Sequence, residues 1–136
     1  MKQTYQIFPV GVVHKNKAQT EIEIYQEFSG ALLGLDTFSH IVVLYWFHKN
    51  DTPEKRSILQ VHPRKNKENP LTGVFGTHSP ARPNPIAMTI CKIQGVVSNR
   101  IRIANIDAFD GSPVIDIKAY IPDKEACTDL KLPNWV

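Results

Sequence analysis

The sequence predicts an all-β protein, a small closed or nearly closed β-barrel with few short helical segments. Three observations predict it. Short β-branched and aromatic segments recur along the chain, several with strict apolar/polar alternation. Ten prolines interrupt everything between them. Only one stretch, Phe28 to Leu35, shows a helical face, and it is short and holds two glycines.

The elements follow in order. Tyr5 to Val13 is strand-like, with an interruption at Pro9-Val10-Gly11. Glu21-Ile22-Glu23-Ile24-Tyr25 alternates acid and apolar, the mark of a half-buried strand. Ile41 to Phe47 is continuously apolar and suits a strand covered on both faces. Ile58 to Val61 reads as a further short strand. Ile86 to Val97 reads as a long one, bent near Gly95. Arg100 to Ile103 alternates, and so does Ile115 to Lys118 after the turn Asp110-Gly111-Ser112-Pro113. The loops Lys49–Glu54, Pro63–Pro70 and Thr77–Pro85 are the places for function.

At 136 residues and 42% apolar, the chain reads as a single globular domain over 1–136. Its longest apolar run, Ile41 to Phe47, is too short to span a bilayer, so no membrane partner is expected. Residues 1–6 hold no apolar leader core, and Cys91 and Cys127 form no CxxC, so a cytoplasmic protein is expected.

Charge is uneven. Between Lys55 and Arg102 nine bases face one acid, Glu68, a block of +8 within a chain of +3. On one face, that block is a footprint for a polyanion, with Arg64, Lys65, Lys67 and Arg82 as the RNA-binding candidates. The plainer alternative is a solvated loop.

Several chemistries find no support. No GxGxxG follows a strand, and no GxxxxGK[ST] or GxSxG occurs. His14, His40, His48, His62 and His78 include no i, i+4 pair, so no metal site is expected. Two segments do carry chemistry. Gly73 to Ile86 packs three prolines into six residues and presents Thr77, His78, Ser79, Arg82 and Asn84. A loop so stiffened costs little entropy when a ligand arrives. It can equally be a crossover in which Arg82 and Asn84 bind backbone. In the second segment Asp107 and Asp110 flank apolar residues at a strand end, where they can hold a ribose diol, an amine or a cation. Asp110 reads more readily as a turn cap, and Asp107 is open between the two roles.

At these segments the chain resembles the TsaA-like family, also called TrmO-type. Members carry a GVFATRSPxRPNPIG-like loop and then a DxxDGTPVLDIKPY-like turn and strand. Here they stand as Gly73-Val74-Phe75-Gly76-Thr77-His78-Ser79-Pro80-Ala81-Arg82-Pro83-Asn84-Pro85-Ile86 and as the stretch from Asp107 to Tyr120. Gly34-Leu35-Asp36-Thr37-Phe38-Ser39-His40, Leu44-Tyr45-Trp46-Phe47-His48 and Gly11-Val12-Val13 match in order. The resemblance implies a β-barrel that binds S-adenosylmethionine. It also implies a homodimeric tRNA methyltransferase acting on N6 of the threonylcarbamoyl-modified adenosine beside the anticodon. Carried over by position, the cofactor contacts are Phe47, His48, His78, Met88, Ile106, Asp107, Ala108, Phe109 and Asp110.

Departures accompany the match. The family's loop arginine is His78 here, a titratable ring in place of a forked cation. Gly76, Ser112 and Ala119 replace Ala, Thr and Pro. Longer members add a C-terminal domain and an N-terminal Pro-Arg segment, where this chain has Lys15-Asn16-Lys17-Ala18-Gln19. The alternative reading is therefore a module or sensor that holds S-adenosylmethionine without methylating RNA. Methyl transfer from a sulfonium needs alignment and exclusion of water more than a nucleophile–base pair. Trp46, Phe47 or Phe109 can shelter the adenine, and His48 or His78 can take the proton.

Overall fold

The computed structural model describes residues 2–123 and 127–136. The chain forms two compact units, Met1–His48 with Ile86–Tyr120, and Lys49–Pro85 with Ile121–Val136.

The first unit is a closed six-stranded antiparallel barrel. Its strands are β1 (Gly11–Lys15), β2 (Thr20–Ile24), β3 (His40–Trp46), β6 (Ile86–Val97), β7 (Arg100–Ile103) and β8 (Pro113–Ala119). They run around the barrel as β1-β2-β7-β6-β3-β8, and β8 returns to β1 through Gly11↔Val114 and Val12↔Pro113. Closure removes the exposed edges an open sheet would offer. Alternation decides what faces inward. Val13, Ile22, Ile41, Val43, Ile101 and Val114 fill the interior and are fully buried. Gly11 sits where β1 presses on β2: a Cβ there would overlap the carbonyl oxygen of Glu23.

Most expected strands are present, with instructive shifts. The register of β6 against β7 slips between Ile93 and Gly95, at the expected bend. Burial along β3 alternates, so its outward side chains are only half-buried and the strand is not covered equally on both faces. β1 begins at Gly11, and residues 5–9 form no strand. Tyr5, Ile7 and Phe8 are exposed, with Phe8 stacked on Phe28 at 5.7 Å. In place of a helix over Phe28–Leu35, two 3-10 segments, Gln26–Leu32 and Leu35–Thr37, are separated at Gly34, whose φ is +81°.

The second unit holds a two-stranded sheet of β4 (Gln60–Val61) and β5 (Thr72–Gly73) and a one-turn helix α1 (Pro53–Arg56). Thr52 caps α1, its hydroxyl accepting from the Lys55 amide at 3.2 Å, and Pro53 opens it. No helix among the described residues is long and apolar enough to cross a membrane.

Candidate functional site

The loop joining β7 to β8 crosses one end of the barrel. It carries five of the expected site residues, Ile106 to Asp110, and alternates like a strand without pairing as one. Ile106 is 1% exposed and Ala108 is buried; both belong to the core cluster. Asp107 and Phe109 face outward, Phe109 at 59% exposure. The Ile106 side chain is therefore closed to a ligand, and its amide donates to Asn105 Oδ1 at 2.9 Å while its carbonyl accepts from Lys15 at 2.6 Å.

The same barrel end gathers the C-terminus of β3. The Tyr45 ring points inward and meets the Phe47 ring edge-on at 5.9 Å. Its hydroxyl donates to the carbonyl of Asp107. Burial pushes the Tyr45 phenol up, against the opposing effect of its bond to Thr89, so it remains a neutral donor at ordinary pH. His48 follows at the start of a 3-10 turn, His48–Asn50. Met88 lies opposite Leu44 in the β3–β6 ladder and is 56% exposed on the outer face of β6. Tyr45 thus links Phe47 to the 106–110 loop, His48 follows Phe47 in sequence, and Met88 lies on the outer face of the neighbouring strand. Ile86 and Ile90 flank Met88 on that outer face, also exposed.

Asp110 serves structure. Its Oδ1 accepts from the Lys15 amide at 2.7 Å, so it ties the loop to β1 rather than capping its own turn. Gly111, at φ +84°, completes the turn and donates to the carbonyl of Val13. The sequence did not single out Lys15 or Tyr45. Each is a long way along the chain from the loop it grips, and no local pattern marks either.

His78 and the basic candidates belong to the second unit. His78 is exposed on the proline loop. The Arg82 guanidinium donates to the carbonyls of Thr77 and Ser79, at 3.1 and 3.2 Å, so it braces its own loop. Asn84 accepts from Arg56 at 3.2 Å. The crossover reading, in which both bind backbone, fits Arg82; Asn84 is bonded to a side chain instead. Arg64, Lys65 and Lys67 are exposed on a loop closed by bonds from Asn69 to the Pro63 carbonyl and between His62 and the Asn69 carbonyl. Arg64 and Lys65 both adopt left-handed backbone, φ +59° and +55°, a conformation that side chains disfavour.

No cluster of three metal-binding side chains occurs among the described residues. Cys91 is buried, its thiol pushed up to about 11 by burial, which suits a core residue and not a nucleophile. A separate open depression of about 450 Å³ on the barrel is lined by Ser29, Leu32, Leu33, Asp36 and Val96 among others. The barrel end offers the better set of aromatic and acceptor groups for a nucleoside. It offers aromatic rings for a flat base and the Asp107 carboxylate for hydroxyl or amino donors, and its exposed negative charge suits a cationic ligand.

Comparisons with known proteins show the family and the fold. Residues 3–126 match the model of the tRNA-methyltransferase O N-terminal domain. A probable S-adenosyl-L-methionine-binding protein of Methanocaldococcus jannaschii is 50% identical over 116 residues, covering 85% of this chain and 92% of its own. The tRNA (adenine(37)-N6)-methyltransferase of Mus musculus is 40% identical over 104 residues, 76% of this chain but 23% of its own. A crystal structure of TrmO from Pseudomonas aeruginosa superposes with a TM-score of 0.71 at 27% identity, covering 95% of this chain and 62% of that one. This chain thus spans less than two thirds of the crystallised protein.

Proposed function

Since the chain belongs to the tRNA-methyltransferase O N-terminal domain family, we propose that it binds S-adenosylmethionine and methylates N6 of the threonylcarbamoyl-modified adenosine beside the tRNA anticodon. The observation that supports this best is the barrel end. Tyr45 touches Phe47 through its ring and the Asp107 carbonyl through its hydroxyl, so Phe47 and the loop that turns Asp107 and Phe109 outward share one end of the barrel.

The residues divide the work as follows. Phe47 and Phe109 flank the adenine and keep water from it. The Asp107 carboxylate accepts from a ribose hydroxyl or the ligand's amino group. Bound S-adenosylmethionine supplies a methyl group already activated on sulfur, so the protein's task is orientation. His48 or water takes the proton that N6 gives up as it gains the methyl group. Arg64, Lys65 and Lys67 hold anticodon-loop phosphates, and His78 stands in the same unit where the family has an arginine. Residues 1–136 act as one TsaA-like domain in the cytoplasm. A second copy covers the apolar strip Ile86, Met88 and Ile90, giving the homodimer.

A second reading is a binding module without RNA methylation. His78 in place of the family's arginine favours it, as do relatives named only for binding S-adenosylmethionine. The deciding experiment incubates the protein with methyl-labelled S-adenosylmethionine and tRNA that carries the threonylcarbamoyl group but lacks the methyl. Label in the tRNA is expected. Label absent from tRNA at every salt concentration, with cofactor still bound, selects the binding module.

A further inference from the structure

The loop that displays Asp107 and Phe109 has no β-ladder of its own, yet its main chain is held. Lys15, the last residue of β1, donates from its ammonium to the carbonyls of Ile106 at 2.6 Å and Ala108 at 3.2 Å. The Tyr45 hydroxyl, on β3, donates to the carbonyl between them, that of Asp107, and lies 3.2 Å from the Thr89 hydroxyl. Three successive carbonyls are thus gripped by two side chains from two strands. The side chains along the same stretch alternate, Ile106 and Ala108 into the core, Asp107 and Phe109 out.

We propose that Lys15 and Tyr45 are positioning residues for cofactor recognition, setting the backbone of 106–108 so that Asp107 and Phe109 face the ligand. The inference rests on the functional reading above. The physical reason is preorganisation. An irregular segment whose carbonyls had no partner would sample many arrangements, and a ligand would have to select one of them at a cost in affinity. An ammonium is suited to the task because its three donors can serve two carbonyls two residues apart without the planar constraint of a guanidinium. With those carbonyls engaged by the protein, the Asp107 carboxylate becomes the main acceptor this stretch offers a ligand.

The test compares Lys15→Met, Lys15→Arg and Tyr45→Phe with wild type. Glu21→Gln, whose carboxylate is bonded to Arg100, Arg102 and Gln19 on the β2–β7 seam, serves as a control for loss of stability alone. Calorimetry with S-adenosylmethionine gives affinity, melting gives stability, and amide spectra of the unliganded proteins report the loop. Lys15→Met and Tyr45→Phe are each expected to weaken binding about tenfold, a factor typical of losing one anchoring hydrogen bond. Lys15→Arg should recover part of that loss. Glu21→Gln should melt lower yet bind as wild type does. Amide resonances of residues 105–110 should move in Lys15→Met while those of β6 stay. If Lys15→Met fails to fold, Tyr45→Phe carries the same comparison. Wild type that binds, together with variants that bind equally well, overturns the positioning role alone. So does an affinity loss in Glu21→Gln as large as in Lys15→Met. Wild type that takes up no cofactor overturns the functional reading, and the positioning role falls with it.

Discussion

Glu21 offers the sharpest stability prediction. It is only 9% exposed, yet it lies on the outward-facing side of β2 among charged neighbours. Its carboxylate accepts from Arg100 at 3.1 Å, Arg102 at 3.4 Å and the Gln19 amide at 2.8 Å. Register puts Arg102 directly opposite and Arg100 on the diagonal, so the cluster fastens β2 to β7. The Arg100 hydrogen bond is the largest influence on Glu21. With help from Arg102 it outweighs burial and holds the carboxyl below its ordinary value. Replacing Glu21 with Gln keeps an acceptor but removes the charge. Both arginines are about half exposed, which discounts each pair towards the surface range. A net loss of about 1–2 kcal/mol at neutral pH follows. For a domain this size that is roughly 3–8 °C in melting temperature. The sign with pH is definite. A depressed folded-state carboxyl stabilises above its ordinary value near 4.5, and that contribution fades as pH falls through the lower folded value. The wild-type advantage over Glu21→Gln should therefore be full at pH 7 and shrink below pH 4.5. Thermal melts of both proteins across that range, with Arg100→Met and the double variant, measure it. An advantage independent of pH, or no coupling between the two positions, would refute the reasoning.

Three further outcomes are expected. Gly11→Ala should cost about 1–3 kcal/mol, because the new Cβ overlaps the Glu23 carbonyl across the β1–β2 seam; chemical denaturation reads this as a lower midpoint. Lys65→Ala with Lys67→Ala should weaken tRNA binding and flatten its salt dependence by roughly 0.7–0.9 log units for each phosphate left without its lysine, while cofactor affinity stays the same; filter binding across a salt series checks it. Met88→Asp should shift the protein towards monomer in sedimentation by charging the exposed apolar strip of β6; an unchanged sedimentation coefficient would argue against that strip as the dimer face.

Much of the barrel is legible because alternation is a local signal. Glu21–Tyr25 and Arg100–Ile103 declare which side chains turn inward, and Gly95 marks the bend in β6. Residues 5–9 look equally strand-like and are not a strand. β-propensity describes a side chain's fit to a pleated surface and does not supply a partner, and β8 takes up β1 only from Gly11. The missed elements β5 and α1 are two and four residues long, too short for periodicity to show. In α1 the Thr52-Pro53 pair was the available signal. At the site, the outward placement of Asp107 and Phe109 follows from the same alternation that buries Ile106 and Ala108. The grip of Lys15 and Tyr45 is a different matter, since those bonds span 91 and 62 residues and only barrel closure brings them about.

S-adenosylmethionine should bind at the end of the barrel that carries residues 106–110. Titrating it into isotopically labelled protein and following the backbone amides tests this residue by residue. The expected result is saturable movement centred on residues 106–110, Phe47 and His48, with smaller changes at Met88. Movement confined to the Ser29–Asp36 depression, or none at saturating ligand, would contradict it.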